Sequence, residues 1–216
     1  MTYDLIIISQ SKGDLIKVTQ NCINSIRKEN AETNIIVVET GDNYPYRVDT
    51  IVRYEGEFNY NRALNLGLQY AKSGYQVLCN NDIIFHPGWS RMGDIMKAND
   101  YLSASALSND QRQRLCKRGD ICYEGYIIGL HLTGWCIFTS KDLWPVIGKL
   151  NEKHKFWFSD NIYAEQLKAQ NIKHALICNI RVDHLGSQTL QKQPRHIQQL
   201  YTYSQGRATR EFKSLR

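Results

Sequence analysis

Residues 76–85 read Gln-Val-Leu-Cys-Asn-Asn-Asp-Ile-Ile-Phe. An apolar run stops at two amides and a carboxylate, and apolar residues then resume. The pattern predicts a buried strand over Tyr75–Asn80 with Asp82 just past its end. A lone carboxylate is costly to bury there unless something compensates its charge. A divalent cation carrying a diphosphate is one such partner, since Mg²⁺ and Mn²⁺ take a carboxylate or two and leave the rest of their shell to phosphates. An Asx-turn closing the strand is the plainer alternative.

Working toward the N-terminus, Asn59 to Lys72 carries a helical stripe of Leu64, Gly67, Leu68 and Ala71, with Asn59 or Asn61 suited to cap it. Thr50–Tyr54 reads as a short strand and Asn34–Thr40 as a buried one, closed by Gly41-Asp42-Asn43. Gly13-Asp14 opens a helix whose Leu15, Val18, Cys22 and Ile26 share a face, and Leu5–Ser9 reads as the first strand. Toward the C-terminus, His86-Pro87-Gly88 breaks the chain ahead of a helix from Trp89 to Lys97. Strands are expected over Tyr101–Leu107, Leu130–Thr139 and His174–Arg181. A short helix is expected over Lys141–Ile147 and a longer one over Ser159–Gln170. Residues 108–130 are polar and aperiodic, and a loop of that length is usually functional. This alternation predicts an α/β fold: a mostly parallel sheet flanked by helices, in a single domain over residues 1–190. Ligands of such sheets gather at the carboxyl ends of the strands, so the polar residues closing each strand are the candidates for a site.

The bulk properties agree. The chain has 216 residues, 42% hydrophobic and 22% charged, as in a globular domain with a sizeable core. No apolar run approaches the roughly 20 residues that span a bilayer, and the first apolar run follows Asp4 without a basic lead, so it reads as a strand rather than a signal peptide. The six cysteines form no Cys-x-x-Cys pair, and four of them fall in apolar patterns, which suits a reducing, cytoplasmic compartment. The formal charge of +6 is concentrated at the C-terminus, where residues 191–216 hold Lys192, Arg195, Arg207, Arg210, Lys213 and Arg216 against Glu211 alone. Such a tail is either a solvated segment or a contact for an anionic partner.

Four strand or helix ends carry the candidate chemistry. Glu39 closes the second strand, where it either faces water or accepts hydrogen bonds from a base or ribose. Asn80, Asn81 and Asp82 close the fourth. Asp183-His184 follows the last strand, where the imidazole is either a surface group or a metal ligand of a kind Mn²⁺ tolerates better than Mg²⁺. Asp160 follows the aromatics Phe156-Trp157-Phe158 at a helix start. It is either the N-cap or a general base that the helix dipole keeps ionised, with Glu165 as the weaker candidate.

Taken in order, these segments resemble the large inverting, nucleotide-sugar-dependent family of GT-A glycosyltransferases. Leu5–Ser9 is similar to its first strand. Val37-Val38-Glu39-Thr40-Gly41-Asp42 resembles its base-contacting Val-Val-Asp-Asn-Gly-Ser, with Glu39 in place of Asp. Asn61-Arg62-Ala63-Leu64-Asn65-Leu66-Gly67 resembles its Arg/Asn-Ala-x-Asn-x-Gly helix beside the nucleotide. Asn80-Asn81-Asp82 stands where its Asp-x-Asp belongs, Asp160 where its catalytic base belongs, and His184-Leu185-Gly186-Ser187 resembles its metal-joining His-x-x-Ser. The chain departs in two places: Asn80 replaces the first acid of the metal motif, and Ser159 replaces the acid before the base.

The resemblance implies Asp82 and His184 as holders of Mn²⁺ or Mg²⁺. It implies Ser9, Glu39, Arg62, Asn81, Asp82 and Arg195 as contacts of a nucleotide-sugar, most naturally a UDP-sugar, and Asp160 as the base. The acceptor it implies is a glycan or lipid-linked glycan, or else a hydroxymethylated DNA base, as phage-type members modify; the location is then the cytoplasm, of a host cell in the phage case. The tail's basic residues, interleaved with Tyr201, Tyr203 and Phe212, suit nucleic acid. Residues 108–130 could then be the mobile loop that base extrusion needs. Two other readings stay open: a sugar-phosphate nucleotidyltransferase, for which Ser9-Gln10-Ser11-Lys12-Gly13 is a poor phosphate loop, and a degenerate nucleotide-sugar-binding module.

Overall fold

The computed structural model describes residues 1–30, 32–113, 122–155 and 157–186, with positions 188, 195, 198, 199 and 205 beyond them. Phe156, Ser187, Thr189, Tyr201, Tyr203, Phe212 and every basic tail residue except Arg195 lie outside the described residues. Strand and helix alternate: β1 (Tyr3–Ser9), α1 (Leu15–Arg27), β2 (Asn34–Glu39), β3 (Thr50–Arg53), α2 (Tyr60–Leu68), β4 (Tyr75–Asn80), β5 (Ile83–Phe85), α3 (Met92–Ala98), β6 (Ser103–Leu107), β7 (Cys122–Glu124), β8 (Cys136–Ser140), α4 (Trp144–Ile147), α5 (Ser159–Ala169) and β9 (His174–His184).

Among the described residues one sheet runs β3-β2-β1-β4-β8-β6-β9-β5, with β7 paired to β9. β1 to β4 are mutually parallel. Beyond them the sheet is mixed: β8 runs antiparallel to β4 and β6, β6 runs parallel to β9, and β5 and β7 run antiparallel to β9. The mostly parallel sheet expected from the sequence is parallel across β1 to β4 and between β6 and β9, with antiparallel pairs at β8, β5 and β7. An apolar run such as β8 reports that both faces are covered, and it carries no information on strand direction. The strand expected from Leu130 begins only at Cys136, because residues 127–132 fold into a turn in which the Ile127 carbonyl accepts from Leu130, His131 and Leu132.

Two apolar layers bury the sheet. Leu5, Ile7, Ile35, Val37, Val77 and Cys79 pack against α1 and α3 on one face. Ile6, Ile36, Val38 and Leu78 pack against α2 and α5 on the other. Burial on both faces is why these strands lack polar alternation. Asp4 is also sealed in, at 1% exposure. Its carboxylate accepts from the Lys72 and Ser73 amides and the Asn34 side chain, which fastens the α2–β4 turn to the start of β1.

α2 positions the site in two ways. On its apolar side Gly67 lies so close to the sheet that a Cβ there would stand 2.4 Å from Ile6 Cγ2 and 2.9 Å from Val38 Cγ2. On its polar side three asparagines grip the backbone ahead of α5. Asn59 Nδ2 donates to the Glu152 carbonyl (2.8 Å) while its Oδ1 caps the helix by accepting from Arg62 N. Asn61 Nδ2 donates to Asn151 O (2.7 Å), and Asn65 both donates to Leu150 O and accepts from Leu150 N. The segment leading to Asp160 is therefore strapped to α2.

The close approach at Gly67 sets a test. Ala brings about 1 kcal/mol of helix propensity over Gly, but overpacking a rigid core costs more. Gly67→Ala is expected to lower stability by a net 1–2 kcal/mol, to order of magnitude, read as a reduced urea midpoint at unchanged slope.

Candidate functional site

The sheet register brings Asp82 and His184 together. β5 begins one residue after Asp82, and its Ile83 pairs with His184 at the end of β9. The Asp82 carbonyl accepts from Leu185 N (2.9 Å), and its Oδ2 accepts from Gln188 N (3.1 Å). Asn109, just past β6, holds His184 from the other side: its Oδ1 accepts from His184 N (2.9 Å) and its Nδ2 donates to His184 O (3.2 Å). The result is a carboxylate at 2% residue exposure whose Oδ1 lies 3.3 Å from His184 Nε2.

Neither of those two atoms meets a hydrogen-bond partner of good geometry among the described residues, though both are buried. A buried polar atom without a partner is rare and expensive and needs an explanation, and for two such atoms side by side a shared ion is one. Their spacing fits two neighbouring ligands of one divalent ion, which with bonds of about 2.1 Å stand about 3 Å apart. No cluster of three or more His, Cys, Asp or Glu that could hold a metal occurs among the described residues. The pair therefore suits a cation whose remaining ligands are water and phosphate oxygens, rather than a protein-enclosed metal centre.

Asp160 comes from a second wall, that of α5, and both it and Asp82 are close enough to act on the Tyr60 hydroxyl. The residue ahead of α5 is Phe158, in the left-handed region at φ 65°. A bulky side chain seldom adopts that conformation, and such strain is typical of functional turns. Asp160 is thus the second helical residue, not the cap; its Oδ1 accepts from Asn161 N (2.9 Å). Gly134 admits it, since a Cβ on Gly134 would stand 2.7 Å from Asp160 Cβ. Burial raises the Asp160 pKa, with the Asn161 and Asp160 backbone N–H groups and the Arg112 charge opposing it. Desolvation therefore outweighs the helix-end effect, which reverses the expected direction and makes this carboxylate a stronger base.

Tyr60 and the 108–113 segment join the two walls. The Tyr60 hydroxyl donates to Asn80 Oδ1 (2.8 Å) and lies 3.1 Å from Gly134 O. Burial, with the nearby Cys79, Asp160 and Asp82, holds its pKa well above the usual range, so it stays a protonated donor. Arg112 makes a forked pair with Asp110 through Nε (3.1 Å) and Nη2 (2.8 Å), and its charge is felt by Asp160. Asn109, Asp110 and Arg112 open the aperiodic stretch 108–130. Nothing in the sequence singled out Tyr60, Asn109 or Arg112.

The remaining candidates take up other places. Glu39 is not the solvent-facing acid that one reading expected: it is fully buried, with Oε1 accepting from Ser11 N (2.8 Å) and Gly41 N (2.7 Å). Its Oε2 is buried and meets no partner among the described residues. Ser9 Oγ lies inside the fold, 3.1 Å from Thr19 Oγ1 and 3.0 Å from the Tyr46 hydroxyl, and Asn81 Nδ2 donates to the same Thr19 oxygen (2.9 Å). Arg62 is ion-paired to Glu152 at 3.2 Å with its side chain 53% exposed. Arg195 lies on an exposed helical position away from any described contact with Asp82 or His184. Glu165, the weaker base candidate, is a surface partner of Lys168 (2.8 Å).

Searches by sequence match no known family and no curated protein. Solved structures do share the fold. TarS of S. aureus superposes on 85% of this chain and 36% of its own, with a TM-score of 0.66 at 11% identity. A shorter form of it, TarS 1-349, covers 85% and 60%, with a TM-score of 0.63 at 11% identity. GalNAc-T7, solved with UDP, GalNAc and Mn²⁺, covers 85% and 43%, with a TM-score of 0.66 at 12% identity. These neighbours are GT-A glycosyltransferases, and this chain has the GT-A fold. It spans less than two thirds of each neighbour's length. No helix among the described residues is long and apolar enough to cross a membrane.

The Asp160 carboxyl sets a second test. Its folded pKa exceeds its unfolded one, so the folded state holds the proton more tightly and the ionised group weakens the fold at neutral pH. Asp160→Asn is expected to be more stable than the parent at pH 7. That advantage should shrink as pH falls through the raised folded pKa toward the ordinary value of about 4, as read by urea titrations across that range.

Proposed function

We propose that this chain is a metal-dependent glycosyltransferase that moves a sugar from a nucleotide-sugar to an acceptor hydroxyl with inversion at the anomeric carbon. The observation that carries this reading is the pair of buried atoms Asp82 Oδ1 and His184 Nε2, 3.3 Å apart and without a good hydrogen bond among the described residues, with Asp160 near enough that it and Asp82 both act on the Tyr60 hydroxyl. The fold comparison supports it, because neighbours with this sheet are glycosyltransferases and one was solved with UDP and Mn²⁺.

Asp82 and His184 would hold Mn²⁺ or Mg²⁺, which when bound neutralises charge on the diphosphate leaving group. Glu39 Oε2 accepts a hydrogen bond from the base, while Ser9 and Asn81, joined through Thr19, form the floor beneath the nucleotide. Arg62 and Arg195 are assigned to its rim. Asp160 takes the proton of the acceptor hydroxyl. The acceptor oxygen then bonds to the anomeric carbon as the bond from that carbon to the diphosphate breaks, and the nucleoside diphosphate departs with the electron pair. The raised pKa of Asp160 suits this role, since a base works best when its pKa lies nearer the working pH. Gly134, Tyr60 and the α2 asparagines fix where that carboxylate stands.

A nucleotidyltransferase would need the backbone after β1 free to cradle a phosphate. Here Ser11 N–H is already donated to Glu39, which disfavours that reading. The tail residues that prompted a DNA acceptor lie mostly outside the described residues, so the acceptor is proposed only as a hydroxyl.

A thermal-shift series tests the donor half. UDP-sugars with Mn²⁺ are expected to raise the melting point, since ligands of the folded state stabilise it by mass action, and Asp82→Ala should abolish the Mn²⁺-dependent part. An unchanged shift in that variant would sink the reading. For the acceptor half, Asp160→Asn is expected to retain donor binding and to lose about 10²- to 10⁴-fold in turnover. Normal turnover would remove Asp160 from the mechanism, and metal-independent nucleotide binding without any sugar transfer would mark a degenerate binding module.

A further inference from the structure

Trp135 precedes β8 and lies flat against His184, with ring centroids 4.7 Å apart and planes 12° from parallel. Its carbonyl accepts from Asn80 N (2.9 Å), so its backbone is locked to the end of β4. The body of the indole packs on the apolar layer shared with α1 and α3. Its Nε1 is buried and meets no hydrogen-bond partner among the described residues. Asp82, His184 and Trp135 therefore form one contiguous patch with three unpartnered buried polar atoms.

The three atoms are not equivalent. A carboxylate oxygen and an imidazole nitrogen can each be satisfied by a cation. An indole N–H is a donor only, and a cation makes it no better off. A buried Trp N–H ordinarily finds an acceptor. The acceptor missing here must be brought by whatever the cation brings, and beside a cation that is an anionic oxygen.

We propose that Trp135 is a ligand-binding residue whose Nε1–H donates to a diphosphate oxygen of the nucleotide held at Asp82 and His184, while its ring fixes the orientation of the His184 imidazole. This rests on the donor site proposed above. It adds a neutral donor that discriminates a phosphorylated ligand from a bare cation.

The protein's four tryptophans make the proposal directly observable. In ¹⁵N-labelled full-length protein each indole gives one N–H resonance, and the one missing from Trp135→Phe is that of Trp135. Adding UDP with diamagnetic Mg²⁺ is expected to move that resonance downfield, as a new hydrogen bond to an anionic oxygen requires, and inorganic pyrophosphate with Mg²⁺ should do the same. In titration calorimetry Trp135→Phe, which keeps a stacking ring, should bind UDP with Mn²⁺ about tenfold or more weakly than the parent, the usual effect of losing a hydrogen bond to a charged group. If the parent binds UDP while the Trp135 resonance stays still and the Phe variant binds equally well, the assignment is wrong. A resonance that moves only with a UDP-sugar, and not with UDP or pyrophosphate, also overturns it in favour of a sugar contact. If the parent binds neither UDP nor pyrophosphate with either cation, the donor site itself fails, which is a different outcome.

Discussion

A carboxylate sealed at 2% exposure between two strand ends is the constraint around which this molecule is organised. An ionised group in such a place is tolerable only if its oxygens are occupied. One oxygen of Asp82 is occupied by a backbone amide, and the other looks across 3.3 Å to an imidazole nitrogen that also lacks a good partner. Everything near the pair serves to keep it there. The Ile83–His184 register aligns the two strands, Asn109 clamps the histidine backbone, and Trp135 covers the ring. The fold leaves both atoms without a hydrogen bond of good geometry among the described residues, the feature on which the proposed donor site rests.

The wall of α5 shows a different balance. Asp160 is reached through a left-handed Phe158, a glycine that yields its side-chain volume, and a strap of backbone held by α2. The left-handed residue and the glycine are local concessions in stability, which the hydrogen bonds of the strap offset. Burial raises the carboxyl's pKa further than the surrounding N–H groups and Arg112 lower it. An amide there would avoid the cost that burial places on the ionised acid.

Much of this was legible from residue patterns, for identifiable reasons. Apolar runs such as Ile35–Val38 and Val77–Cys79 could only be strands covered on both faces, and polar residues at their ends had to mark the carboxyl edge of the sheet. Gly67 read as part of a helical stripe and proved to sit so close to the sheet that no side chain fits there without a shift. What stayed hidden depended on tertiary pairing. β5 and β7 are three residues each, too short for any period to show. The direction of β8 left no trace in its composition. Tyr60, Asn109, Arg112 and Trp135 are common residue types whose meaning comes from partners far away in sequence. Asp160 was expected to be kept ionised by its helix end, whereas burial raises its pKa, and burial cannot be seen from a helix position alone.

Because Asn59, Asn61 and Asn65 grip main-chain atoms of residues 150–152, the path of that segment is fixed largely through its backbone. The Asp82–His184 pair rests on different ground, the register of β5 with β9. The two carboxylates are thus anchored by separate sets of contacts, and a change that loosens one anchorage leaves the other standing.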